Sequence, residues 1–368
     1  MQLDCKKKEK IMSSIGTKSD VVSSRIRFNN DYSEGAHPRI LALLQETNMV
    51  QSPGYGEDDY CDAARKLIKK TFACPLSDVH FVVGGTQANL TVIDAALRSH
   101  QSVLSADTGH INVHETGAIE ACGHKVETLP HVDGKITAEA IASHVSAHFA
   151  DEAFEHMTQP KMVYLSQPTE FGTLYTKEEL TAIKKVCEKH ALFLFIDGAR
   201  LGYGLSSSEN DITPESLAPL CDVFTIGGTK VGALFGEGVV ISHPDLKKDF
   251  RYLIKQKGGM LAKGRLLGLQ FVALFEDGLY FRLGEHADVL AYKLRDALIE
   301  KGFTPYINSP TNQQFFKLDK TVCDEISKAF VFSPIETVDD TTQIVRFCTS
   351  WATTQESVDA FVTFIKTL

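Results

Sequence analysis

Two stretches of the chain end an apolar run in a charged group. Leu192 through Ile196 leads into Asp197-Gly-Ala-Arg200, and Val223-Phe-Thr-Ile-Gly-Gly-Thr leads into Lys230. A run of strand-forming residues that stops abruptly at a charge is how a buried parallel strand delivers a side chain to the carboxyl edge of its sheet. One tip supplies a carboxylate and the other an amine. A carboxylate that keeps a ring nitrogen protonated, together with an amine that can form a Schiff base, is the pair of groups a pyridoxal phosphate enzyme has to provide. Either residue alone would pass for an ordinary charge at a strand end.

Two further segments carry chemistry. Val82-Val-Gly-Gly-Thr-Gln-Ala-Asn89 reads as a strand that closes in two glycines and opens a helix carrying Leu90, Val92, Ile93, Ala96 and Leu97. Glycine lets backbone N–H groups approach an anion, and a helix start adds its positive end, so Gly85, Thr86 and Gln87 form a candidate phosphate cradle. The plainer alternative is a tight strand-to-helix turn. Neither a Walker loop nor GxGxxG is present, which argues against a nucleotide. In Ala106-Asp-Thr-Gly-His-Ile-Asn-Val-His-Glu115, a helical backbone would put His110 and His114 one turn apart. That spacing suits a metal, but the His-Glu-x-x-His order of zinc proteases is missing. His110 could equally stack on a flat cofactor ring, or be hydrogen-bonded structure.

The elements that must position these groups alternate. Strand-like runs at Val79–Val83, Ser102–Leu104, Lys161–Leu165, Leu192–Ile196, Val223–Ile226 and Gly238–Ile241 are separated by helical patterns, which predicts a mostly parallel sheet flanked by helices. From about Leu246 the pattern is helical through Glu285, and a smaller mixed section follows, with Gln314–Leu318 and Ile344–Phe347 as its clearer strands. Thr353 with Glu356 forms a capping-box pattern before a terminal helix whose apolar positions are Val358, Phe361, Val362 and Ile365. The expected organisation is a polar leader over 1–24, an arm over 25–60 that contributes to the site, a large domain over 61–245, and connecting helices with a small domain over 246–368.

Bulk properties narrow the partners. With 368 residues, 43% of them hydrophobic, the chain can bury a large core. A formal charge of −9 and a pI near 5.8 offer no attraction for nucleic acid or anionic lipid, which leaves a small molecule as the expected substrate. Cys5-Lys-Lys-Lys-Glu-Lys10 is a charge run rather than a signal peptide, and no apolar run is long enough to span a bilayer, so a cytoplasmic location is expected. The eight cysteines lack CxxC spacing, which disfavours a zinc knuckle or a disulfide framework and predicts buried thiols.

Taken in order, Asn30-Asp-Tyr-Ser33, Tyr55-Gly-Glu-Asp58, Gly84 to Asn89, Gly109-His-Ile111, Phe195 to Arg200, Gly227-Gly-Thr-Lys230 and Val345-Arg-Phe347 resemble the low-specificity L-threonine aldolases from about residue 26 to the C-terminus. The resemblance implies the aspartate-aminotransferase-like α/β fold, fold type I: a mostly parallel seven-stranded sheet flanked by helices, plus a smaller C-terminal α+β domain. It implies pyridoxal phosphate, no metal, and a homodimer or homotetramer with shared sites. By this resemblance Lys230 is the Schiff-base lysine, Asp197 the partner of the pyridine nitrogen, and Gly85, Thr86 and Gln87 the phosphate loop. His110 is the stacking histidine, Arg200 and Arg346 grip the substrate carboxylate, and His156 handles the substrate hydroxyl.

Two positions depart from the family pattern. Asn30 stands where many relatives carry Ser, which changes a carboxylate contact, and Leu261 stands where many carry Arg in the Lys257–Arg265 loop that can reach a neighbouring subunit's phosphate. Lys257 or Lys263 could substitute there. The implied reaction is retro-aldol Cα–Cβ cleavage of L-threonine or L-allo-threonine to glycine and acetaldehyde, with His110 or His156 as base. An aminotransferase or β-eliminating lyase of the same fold, a hydrolase holding a metal on His110, His114 and Glu115, and a non-catalytic binding protein are the alternatives.

Overall fold

The computed structural model describes residues 25–368, so the polar leader lies outside the described residues. Strand β1 (Ile26–Arg27) is followed by the strands of the large sheet: β2 (Asp78–Val82), β3 (Gln101–Ala106), β4 (Lys125–Leu129), β5 (Gln159–Ser166), β6 (Phe193–Asp197), β7 (Val223–Gly227) and β8 (Glu237–Ile241). Their spatial order is β2-β8-β7-β6-β5-β3-β4, and β8 alone runs antiparallel to its neighbours.

The apolar runs are continuous because both faces of this sheet are covered. Along β6, Leu194 and Ile196 join one core cluster and Phe195 the other; along β7, Phe224 and Ile226 join the first and Val223 the second. That is the two-residue period of a strand with packing on either side. The edge strand β4 departs from the pattern. Only Leu129 of its five residues is buried, so Lys125-Val-Glu-Thr-Leu129 shows no apolar run and carries no strand signal in the sequence.

Four strands form a second, antiparallel sheet: β9 (Thr304–Ile307), β10 (Gln313–Asp319), β12 (Ser333–Thr337) and β13 (Thr342–Cys348), in the order β12-β13-β10-β9. Strand β1 pairs in parallel with β11 (Phe330–Val331), and Phe28 is buried in the core of this C-terminal unit. The start of the arm is thus built into the small unit before the chain crosses to the large one.

The helix Leu279–Glu300 extends beyond the predicted helical stretch. The terminal helix Gln355–Thr367 starts one residue later than the capping-box pattern implies: Thr354 is the cap, accepting from the Ser357 N–H, while Thr353 Oγ1 accepts from Ser350 N–H. A cap serves the residue three positions on, and that residue is Ser357 rather than Glu356. Every described cysteine is a free thiol, and all but Cys122 are buried. Among the described residues, no helix is long and apolar enough to cross a membrane.

Candidate active site

The parallel strands bring their carboxyl ends to one edge, and the chemistry-bearing residues follow them there. Asp197 ends β6, Lys230 lies three residues past β7, Glu170 four past β5, His110 four past β3 and Gly85 three past β2. Gly85, Asn89, His110, Glu170, Asp197, Arg200 and Lys230 line one continuous cleft, which widens to about 580 Å³ where Arg346 and Tyr32 complete it.

The turn after β6 is tightly constrained. A Cβ on Gly198 would lie 2.0 Å from the Thr225 carbonyl oxygen, so only glycine lets the Asp197–Arg200 segment pack against β7. Asp197 is buried, and its carboxylate is held from every side. Oδ2 accepts from Tyr164 Oη (2.6 Å) and Asn89 Nδ2 (2.8 Å), and Oδ1 accepts from the Ala199 N–H (2.8 Å).

Asn89 Nδ2 also donates to Glu115 Oε1 (2.8 Å), whose side chain is sealed from solvent, and the same oxygen accepts from His110 Nδ1 (2.8 Å). A chain of hydrogen bonds therefore links the imidazole to Asp197. Burial disfavours a charged His110, but the Glu115 hydrogen bond and the Asp197 and Glu115 charges outweigh it and hold the ring's pKa above its ordinary value.

The helix Gly85–Ala96 has no side-chain cap, and a Cβ on either Gly84 or Gly85 would meet nothing within 4 Å. Its first N–H groups therefore face open space. The Gln87 side chain is engaged beside the cradle. Its Oε1 accepts from the Val83 N–H (3.1 Å) and its Nε2 donates to the Lys257 carbonyl (2.9 Å), tying the Lys257–Arg265 loop beside the cradle. Thr86 is exposed. Lys257 itself pairs with Asp94 (2.8 Å), whereas Lys263 is exposed.

Arg200 is clamped in a fork by the fully buried Asp31, with Nε and Nη2 donating at 2.7 and 3.0 Å, and Asn312 Nδ2 donates to the same carboxylate at 3.0 Å. Two of the guanidinium's three nitrogens are thereby engaged, which leaves Nη1 for a ligand. Arg346 donates from Nη1 to Gln313 and from Nη2 to the Asn29 carbonyl, both at 3.0 Å, while its buried Nε has no partner among the described residues.

Two expected site residues do not line the cleft. Asn30 closes its own turn, with Oδ1 accepting from the Tyr32 N–H (3.1 Å) and Ser33 Oγ (2.9 Å), so the arm brings Asp31 and Tyr32 to the cleft in its place. His156 lies in the single turn Phe154–His156 ahead of β5, on the amino edge of the sheet, in a pocket with Glu127 and His144. The eight-residue strand that follows it spans roughly 25 Å before the cleft is reached.

Asp31, Asn89, Tyr164 and Glu170 also belong to the site, and Glu115 joins it as the acceptor for His110 and Asn89. Asp31 and Asn89 lay inside motifs already singled out. Tyr164 read as a core aromatic in a buried strand, and Glu170 carried no local signal beyond its place after a strand end.

These features fit pyridoxal phosphate: an uncapped helix start with space before it, a buried carboxylate at the next strand tip but two, and an amine with no hydrogen-bond partner among the described residues. The comparisons agree with this fit. The family model described as beta-eliminating lyase matches residues 42–320. The low-specificity L-threonine aldolase of Pseudomonas aeruginosa is 30% identical over 276 residues, covering 74% of this chain and 78% of that protein.

The structure of Leishmania major threonine aldolase superposes with a TM-score of 0.90 at 45% identity, covering 93% of this chain and 99% of that one. An Escherichia coli protein with a methionine aminotransferase function superposes at a TM-score of 0.73 with 14% identity, covering 98% and 96%, a likeness of fold alone. The fold is aspartate-aminotransferase-like. The chain belongs to the beta-eliminating lyase family, with the low-specificity L-threonine aldolases among its relatives.

Proposed function

We propose that the chain is a pyridoxal phosphate-dependent carbon–carbon lyase that cleaves L-threonine and L-allo-threonine to glycine and acetaldehyde. The observation that carries this reading is the meeting of Lys230, Asp197, His110 and two half-committed arginines in one cleft. When bound, the cofactor supplies an electron sink for the pair released from the broken bond.

The chain's own groups do the rest. Lys230 is the amine that would hold the cofactor. Asp197, fixed by Asn89 and Tyr164, keeps a proton on the ring nitrogen. The N–H groups at the start of Gly85–Ala96 take the phosphate, and His110 covers the ring.

Arg200, whose Nη1 makes no hydrogen bond among the described residues, and Arg346, which lines the wide part of the cleft, grip the substrate carboxylate. Clamping the carboxylate fixes one end of the substrate, so that the Cα–Cβ bond can be oriented for cleavage. An oligomer with shared sites is part of this reading, because exposed Lys263 on the loop beside the cradle is free to reach a neighbouring subunit. A cytoplasmic location is part of it as well.

The test is to record the absorbance of wild type and Lys230→Ala, then to assay glycine, acetaldehyde and keto acids from both threonine diastereomers. Wild type should be yellow and release equal glycine and acetaldehyde; the variant should do neither. Keto acid without aldehyde would point to an aminotransferase instead. A variant that kept both the band and turnover would refute the assignment of Lys230.

A further inference from the structure

With His156 on the far edge of the sheet, the cleft must hold the proton acceptor for the substrate hydroxyl among other groups. His110 is poorly suited. Its Nδ1 is engaged by Glu115, and the surrounding carboxylates favour its protonated form, which has no lone pair to accept with. Glu170 stands beside it with a different history.

It lines both the deep and the wide parts of the cleft, with Lys230 and Arg200. Its Oε1 accepts from Ser166 Oγ (2.6 Å) and from the His110 backbone N–H (2.9 Å), and no other described residue donates to its Oε2. One oxygen fixes the carboxyl while the other is left to a ligand.

We propose that Glu170 is the base that takes the β-hydroxyl proton in the cleavage step. The inference rests on the aldolase reading above. In the step the substrate O–H bond breaks and an O–H bond forms on Glu170 Oε2. The freed oxygen pair becomes the second bond of the aldehyde carbonyl, and the Cα–Cβ pair stays with the glycine half. Cα later gains one proton, balancing the one taken from oxygen, so no co-reactant is needed.

Burial raises Glu170 above an ordinary carboxyl, against the hydrogen bonds from Ser166, its own backbone and His110, and Asp197 adds to the rise. A raised carboxylate is a stronger base, closer in strength to what a neutral-pH reaction needs. The other titratable or charged groups on this cleft are Tyr32, His110, His114, Asp197, Arg200, Lys230 and Arg346.

The experiment compares wild type with Glu170→Gln and Glu170→Asp as full-length holoenzymes. Glutamine keeps the acceptor for Ser166 and His110 but cannot take a proton. Glu170→Gln should lose threonine cleavage by about a hundredfold or more. It should keep the cofactor absorbance, glycine binding, and exchange of the glycine α-proton with deuterated solvent, none of which involves a β-hydroxyl.

Glu170→Asp should recover part of the cleavage, with a shifted acidic limb in its pH profile. Infrared difference spectra between wild type and Glu170→Gln should show a protonated carboxyl persisting above the ordinary glutamate value of about 4.3. The assignment is overturned if Glu170→Gln cleaves threonine within about threefold of wild type, or if it loses glycine binding and α-proton exchange together with cleavage. It is overturned as well if the carboxyl band vanishes at the ordinary pH. Wild type that released no aldehyde would fail the aldolase reading itself, a separate result.

Discussion

Replacing Asp31 tests whether a residue of the N-terminal arm sets the geometry of a site built mainly by the large sheet. Asp31 is fully buried and receives two bonds from Arg200 and one from Asn312. Burial raises its carboxyl pKa, but the Arg200 charge and hydrogen bond override this and hold it below the ordinary value. Asp31→Ala leaves the Arg200 guanidinium buried on one side without its counter-charge. Breaking a buried pair in this way costs about 3–5 kcal/mol, and the open cleft beside Arg200 places the expected loss at the lower end.

The substrate should notice as well. A charge-assisted hydrogen bond from a positioned Arg200 contributes about 1.5–3 kcal/mol, so a guanidinium free to swing raises KM by roughly ten- to a hundredfold at 1.4 kcal/mol per decade. Asp31→Asn, which keeps the shape but opposes amide hydrogens to guanidinium hydrogens, should follow the alanine variant. The measurements are calorimetric melting and steady-state KM for threonine, with glycine binding followed through the cofactor absorbance.

The pH dependence has a definite sign. A carboxyl whose folded-state pKa is depressed contributes stability that is present above its unfolded value, about 3.9, and is lost as pH falls through the folded value. Wild type should therefore lose stability on acidification below about pH 4 by more than Asp31→Asn does. If both variants melt with wild type and keep its KM, Arg200 is not positioned by Asp31 and the reasoning fails.

Two other outcomes are expected. Glu115→Gln removes the charge on His110 Nδ1, so the His110 imidazole should titrate lower by NMR. A histidine with a raised folded-state pKa contributes stability below its unfolded value of about 6.5, lost as pH rises through the folded one, and the variant should lack that contribution at acidic pH; an unchanged titration would remove Glu115 from its role. His156→Ala should leave kcat and KM within about twofold of wild type, because the sheet separates it from the cleft; a large fall in kcat would restore it to the reaction.

Most of the large sheet was legible because its strands are buried on both faces, and burial writes itself into a sequence as unbroken apolar runs. Strand β4 was not, because an edge strand with one buried residue has no such run. The same reasoning separates the site residues. Asp197 and Lys230 are charges interrupting apolar runs, which is visible locally. Glu115, Asn89 and Tyr164 form their network across a helix, a loop and a strand, and each looks ordinary within its own segment.

His156 shows the opposite failure. It stands next to the right strand in sequence, but strand direction puts it at the wrong end. By itself, then, the sequence pointed to the cofactor chemistry and determined the layered α/β frame, since both rest on residue types at strand ends and on periodic burial. Only the tertiary structure decided which acid fixes Arg200, which one holds His110 and which carboxyl is left facing the cleft. Those choices depend on distances between segments far apart in the chain, and hydrogen bonds act over a few ångströms in space regardless of separation in sequence.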